Sequence, residues 1–507
     1  MRNVFSPQMS IGQTAIADIQ IDVSSRDDIP GILLGLQHIY TTKPLRDAVF
    51  KILEEVAATQ IDNDAEKIVS ITKGRPGMNQ WSILVLGVLR LGLNADYDRI
   101  LELANQHGTL RKMLGHSGFD ADQRYCLQTL KDNIKLFTPK IMARINVEVI
   151  QAGCLLLDLD IHAMIRGRCG DSFVLKTDVH FPTDINLLYD AIRTVIHRCV
   201  QWDKQHTTST GSGQALPGWR QHAHNLRQFK SKYRKLQKLK HSTSNNEAKK
   251  AAKELEIKRA YQDYIDLAGI YLERTKASVL ILKNDHKIPE IQLAELNLFT
   301  LHAERQIDQI KRRGIQGEKI PHAEKVFSLF QSHTEWISKG KAGVPVELGL
   351  RVCIMEDCHG FILHSFVMQK TTDDKVAVSM VEATKAQFPR FNACSFDKGF
   401  HSPENQQELT ALIDQVVLPK KGKLSKADQE REYAPEFKQA KKQHSAVESA
   451  INALEVHGLD KCLDYGIDGF ERYVALAVLS RNIQKLGVIK RDRERQRLLD
   501  DKQKMAA

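Results

Sequence analysis

Phe391–Asn405, FNACSFDKGFHSPEN, is the stretch on which the reading of the chain turns. A short apolar run breaks off at Asp397 and passes into glycine and basic residues, the pattern of a strand that delivers one carboxylate to a turn. Outward from it, Pro403–Ile413 reads as a helix and Gln415–Leu418 as a short strand, while Asp374–Gln387 upstream reads as another helix. Earlier still, Val344–Met355 and Phe361–Met368 have strand texture, and Cys358-His359-Gly360 joins them as a hairpin. Downstream come the basic linker Pro419–Lys423, a polar helical stretch, and a helix His444–Val456 carrying Glu448 and Glu455. An apolar helix from Phe470 to Leu486 and a charged tail, 488–507, follow.

One more strand lies far upstream. Arg166–His180, RGRCGDSFVLKTDVH, leaves the helical period for a β-rich run, with Asp171 near its start and Asp178 near its end. Pro182 stops it, and Thr183 or Asp184 is a natural N-cap for a helix Ile185–Gln201. From 185 to 317 the chain is helical, apart from a loop over 206–217. Within that region Trp219–Lys240 is densely basic, with Phe229 and Tyr233 interleaved. Arg227 and Lys230 there are candidates for phosphate contact, against the alternative of a solvated helix whose stems cover apolar surface. Residues 1–165 read as helices around the turn Gly74-Arg75-Pro76-Gly77, with the basic segment Thr109-Leu110-Arg111-Lys112 beyond it. Short helices with such basic residues suit either DNA docking or a plain bundle.

Composition bounds the function classes. The chain has 507 residues, 42% hydrophobic and 27% charged, enough for two or three cores and unlike a disordered chain. The net charge of +11 favours a polyanionic partner. Eight scattered cysteines read as reduced thiols, since Cys353, Cys358 and His359 lack the second ligand pair that a zinc site needs. The N-terminus has no apolar signal core, and the longest apolar run, Trp81–Leu93, is interrupted by Arg90 and too short for a bilayer. A cytoplasmic protein is the expectation, in the compartment that in a bacterium also holds the nucleoid.

With the insertion and the segment Lys325–Ile337 set aside, the order strand, strand, strand, helix, strand, helix, strand, helix is a ribonuclease-H-like layout. The expected fold class is therefore α/β: a ribonuclease-H-like mixed-sheet catalytic domain, 166–184 and 318–487, with an all-α insertion, 185–317, and an all-α N-terminal domain, 1–165, that is either a candidate for DNA docking or a plain bundle. Strands one and four are neighbours in that layout, about 4.8 Å apart, so Asp171 and Asp397 can share a metal ion while Glu448 approaches from a helix. Two divalent ions about 3.5–4 Å apart activate a water or a 3′-hydroxyl and stabilise the leaving oxygen. Hard oxygen ligands point to two Mg²⁺ ions, with Mn²⁺ as substitute. On an unbent strand positions 171 and 178 face opposite sides, so only one of them reaches the metals.

Four blocks in order carry a family resemblance: Asp171–Val174 through His180–Asp184, His333–Ile337 with Lys339-Gly340-Lys341, Phe396–Phe400, and His444–Ser449. Together they resemble the DDE transposases of bacterial insertion sequences, closest to the ISNCY type. The resemblance implies that Asp171, Asp397 and Glu448 are the catalytic metal ligands, with Asp178 the rival for the first place. It implies double-stranded DNA as partner, both transposon ends and target, and at least a homodimer to hold two ends. DNA docking by the N-terminal helices, with Arg75, Arg111 and Lys112, is implied as well. Glu455 departs from the basic residue that several transposase groups place one helical repeat after the glutamate. Trp336 is either core or a stacking platform for an end base. Lys339, Lys341, Lys398 and His401 are candidate ligands of the scissile phosphates.

Overall fold

A computed structural model describes residues 3–6, 8–62, 77–120, 122–159, 167–210, 216, 218–241, 247–284, 286–338, 345–444 and 447–506. The chain divides into two compact units, Met1–Asp178 with Ile337–Ala507, and Val179–Trp336. In chain order the first unit opens with α1 (Asp28–Thr41), α2 (Lys43–Asp62), α3 (Gln80–Gly92), α4 (Tyr97–Gln106), α5 (Gly108–Met113), α6 (Leu127–Ile134), α7 (Pro139–Leu156) and β1 (Gly167–Thr177). The second unit holds α8 (Asp184–Thr210), α9 (His222–His241), α10 (Glu247–Asn284) and α11 (Glu290–Ile310), and the division from the first falls within β2 (Glu335–Ser338). The first unit then resumes with β3 (Val346–Asp357), β4 (Ile362–Met368), α12 (Asp373–Gln387), β5 (Ala393–Ser395), α13 (Pro403–Leu412) and β6 (Gln415–Val417). It ends with α14 (Lys426–Tyr433), α15 (Pro435–His444), α16 (Val447–Leu454), β7 (Lys461–Cys462) and α17 (Gly466–Ala506).

The first unit is a mixed α/β structure. β1 and β3 pair antiparallel, as do β3 and β4, and β5 and β6 pair parallel. An isolated parallel bridge from Gly170 to Phe396 sets β5 beside β1, so the strands succeed one another as β4, β3, β1, β5, β6. β7 pairs parallel with the other end of β1, Lys176 opposite Lys461. Alternation assigns the faces. Phe173, Leu175, Leu350, Val352 and Ile354 join a core with the N-terminal helices, α16 and α17, whereas Cys353, Met355 and Phe396 join a second core with α12 and α13.

The N-terminal helices therefore share a hydrophobic core with the sheet, where the sequence suggested a domain of their own over 1–165. Every residue of α3 from Gln80 to Gly92 is buried, which a helix manages only at the centre of a core. Its one charge, Arg90, is answered by Asp464 at 2.7 Å and lies over the ring of Tyr97. α1 and α17 approach almost backbone to backbone: a Cβ on Gly35 would fall 2.1 Å from the carbonyl oxygen of Ile483, and one on Gly487 1.9 Å from that of Gly31. Only glycine permits that approach.

Several boundaries differ from expectation. The helical unit runs 179–336 rather than 185–317, α8 continues to Thr210 through part of the expected loop, and α17 runs unbroken from the expected apolar helix through the charged tail to Ala506. The expected helix 444–456 is α16, which gives way at Glu455 to a π-turn with Gly458 at φ 93°. Among the described residues no helix is long and apolar enough to cross a membrane.

Candidate active site

Asp171 lies five residues inside β1, opposite Ile354 of β3. On the other edge of β1 the Gly170–Phe396 bridge sets the register, and in a parallel pair the next two residues are Asp171 and Asp397. Phe396 belongs to the core with α12, so Asp171 and Asp397, one residue on, face the opposite side, the side that α16 covers. Gly170 is needed for this approach, because a Cβ there would fall 2.4 Å from the Phe396 ring. Asp397 caps the short 3-10 turn Lys398–Phe400, its carboxylate accepting from the backbone N–H of Lys398 at 2.5 Å. The Asp171 carboxylate accepts from the N–H of Ser172 at 2.7 Å.

Glu448 stands in the first turn of α16, a helix packed against β1. Burial foremost, and then the charges of Asp397, Asp373 and Glu448, push the Asp171 carboxyl up to about 6 against the pull of the Ser172 N–H. The other two acids expected from sequence thus lie within electrostatic reach of Asp171. Asp178 is not among them. It is exposed just past the end of β1, with Lys461 of β7 at 2.5 Å.

Two members of this neighbourhood had no role assigned from sequence. Asp373, the first residue of α12, accepts a hydrogen bond of 2.6 Å from the Ser172 hydroxyl. It also lies close to Gly399 in the turn after Asp397. In sequence Asp373 reads only as an acid favoured at a helix start, and nothing local pairs it with Ser172. His444, the last residue of α15, has Nδ1 2.9 Å from the Ser395 hydroxyl at the end of β5. Burial holds its imidazole below the ordinary value although Asp397 and Glu448 pull the other way.

The remaining candidates are scattered. Lys398 is exposed beside Asp397, and His401 lies near Lys420, Asp428, Arg431 and Glu432, its imidazole lowered first by burial. Arg111 spends its guanidinium on the backbone carbonyls of Asp120, at 2.6 Å, and Gln123, at 3.1 Å, which ties down a loop, while Lys112 is exposed. Trp336 is half-buried and packs edge-on to the exposed Phe181 and tilted against Phe327, each 5.6 Å between ring centroids. Arg227 and Lys230 are exposed on α9. Arg75, Lys339 and Lys341 lie outside the described residues. All eight cysteines are free thiols.

Among the described residues none of Asp171, Asp373, Asp397 and Glu448 forms an ion pair. Hard oxygen donors with uncompensated charge fit a divalent cation of the Mg²⁺ kind. Among the described residues, however, no three His, Cys, Asp or Glu side chains converge closely enough to hold a metal ion as they stand. The carboxylates interact across the site without forming one ligand shell. No known protein family matches the chain, and comparisons with curated proteins and with solved structures likewise give no match.

Proposed function

We propose that this protein is a DDE-type DNA transposase that cleaves at terminal inverted repeats and joins the freed 3′ ends to target DNA at one metal-dependent site. The observation that carries the reading is the Gly170–Phe396 bridge, which sets Asp171 beside Asp397 on the face where α16 presents Glu448. The strand succession β4, β3, β1, β5, β6, antiparallel over its first three members and parallel over the rest, supports a ribonuclease-H-like catalytic domain.

In this reading Asp171, Asp397 and Glu448 hold the divalent ions, and the Ser172–Asp373 hydrogen bond steadies the backbone that presents Asp171. When bound, Mg²⁺ supplies activation of a water or 3′-hydroxyl and stabilises the leaving oxygen of an in-line displacement. Lys398 is close enough in sequence and exposed enough to meet a phosphate beside Asp397. Two ends must be held at once, so the working form is at least a dimer.

The spread of the acids favours one alternative, a DNA-binding protein that has lost catalysis. Incubating purified protein with DNA carrying the terminal repeats that flank its gene, with and without Mg²⁺, and mapping the nicks separates the two. Asp397→Asn and Glu448→Gln should each abolish Mg²⁺-dependent nicking. Cleavage unaffected by them rejects the assignment, and no cleavage by the unaltered protein favours the silent binder.

A further inference from the structure

The sequence leaves α9, with its interleaved aromatics Phe229 and Tyr233, divided between a phosphate-binding surface and a solvated helix whose stems cover apolar surface. In the second unit those aromatics point inward. Phe229 is fully buried and stacks on Tyr264 with centroids 4.7 Å apart, and Tyr233 stacks on Tyr189 at 5.0 Å. Leu236 and Asn225 complete the buried face. Arg227, Lys230, Arg234 and Lys238 recur at steps of three, four and four, a single stripe on the opposite side of the helix, and all four are exposed.

The helix carries seven Lys and Arg and no acid. Among the described residues only Lys232 of these forms an ion pair, with Asp263 at 3.4 Å. Like charges three and four residues apart destabilise a helix, so the stripe is a standing cost that a polyanion would relieve. It spans about 16 Å at about 1.5 Å per residue, roughly five base pairs of duplex. Among the described residues α9 exposes no large apolar side chain, which sets it apart from helices that lie in a membrane surface.

We propose that the α9 stripe is a docking surface for the phosphate backbone of duplex DNA, read without regard to base sequence. The stripe extends the transposase reading to a second DNA-binding surface, and it is measured without metal or cleavage, so the two fail separately. A protein that binds through α9 and never cuts overturns only the enzymatic reading.

The test uses the full chain in chelator, measuring fluorescence anisotropy with two unrelated duplexes of about 20 base pairs over a salt series. The triple variant Lys230→Gln/Arg234→Gln/Lys238→Gln should bind both duplexes equally weakly, roughly tenfold or more below the parent at about 0.1 M salt. Its slope of log K against log salt should be shallower by about 0.9 for each phosphate that the variant no longer neutralises. Lys232→Gln, at the paired position, should leave that slope unchanged. An unaltered slope in the triple variant, a weakening confined to one duplex, or an equal weakening of binding to anionic lipid vesicles overturns the proposal. Matching circular dichroism and melting curves establish that the variants fold.

Discussion

The two ends of β1 carry the same residue types in opposite circumstances. At the end that meets β7, Lys176 is paired with Asp460 at 2.6 Å and Asp178 with Lys461 at 2.5 Å, each pair exposed. At the end that meets β5, Asp171 is largely buried among Asp373, Asp397 and Glu448, with no described cation to answer it. Charge that costs stability and is left uncompensated marks a place built for something that arrives later. Charge that is paired and exposed marks the ordinary closing of a strand.

The sharpest way to break that comparison is to neutralise each end in turn. Asp171→Asn should lower Mg²⁺-dependent nicking by roughly a thousandfold or more, whereas Asp178→Asn should change it by less than about threefold. The reverse pattern would move the first ligand to the other end of the strand. Next in size, Gly170→Val should force β5 away from β1, and a displacement of about 1 Å at the reacting groups should cost nicking roughly a hundredfold with the fold retained. Asp373→Asn should cost about 10–100-fold, the range for residues that orient ligands, and Ser172→Ala should reproduce part of it. If Asp373→Asn is neutral, Asp373 is only a helix-start acid.

A separate effect falls on stability, and its sign is opposite to that on activity. Folded, the Asp171 carboxyl keeps its proton up to about pH 6, whereas unfolded it loses it near the ordinary value of 3.8. Between those values the folded chain binds the extra proton, so stability falls as pH rises through the window and stays lowered above it. Asp171→Asn should therefore stabilise the metal-free protein by on the order of 2–3 kcal/mol at neutral pH and leave it unchanged near pH 3. Urea unfolding at the two pH values measures this. Equal stabilisation at both would assign the effect to packing.

Residues that announce themselves locally were legible. Asp397 ends an apolar run, Cys358-His359-Gly360 turns a hairpin, and Thr183 accepts from the N–H of Asn186 at 3.3 Å as a cap for α8. That Asp171 and Asp397 lie on neighbouring strands followed from strand order, whereas their role as ligands with Glu448 rests on the family resemblance. What stayed hidden depends on partners far away in sequence. Asp373 gains its place from Ser172, 201 residues earlier, and β7 is two residues long and exists only because β1 has an edge free beyond β5. The aromatics of α9 alternate with its basic residues in sequence, and only their common angular position on a helix separates core from surface. The merger of the N-terminal helices with the sheet likewise rests on α17, whose length exceeds its apolar portion because charged residues continue the helix.

The close approach of Gly35 and Gly487 sets an order of events for a chain being synthesised. α1 emerges with an apolar face whose partner, α17, is made hundreds of residues later, and until α17 leaves the ribosome the core around α3 stays open. Such long-range closure is slow and leaves apolar surface waiting. A chain whose core closes only when α17 has been made delivers its Asp171–Asp397 pair no earlier than that helix, so a chain stopped short of α17 would carry the acids without the frame that brings them together.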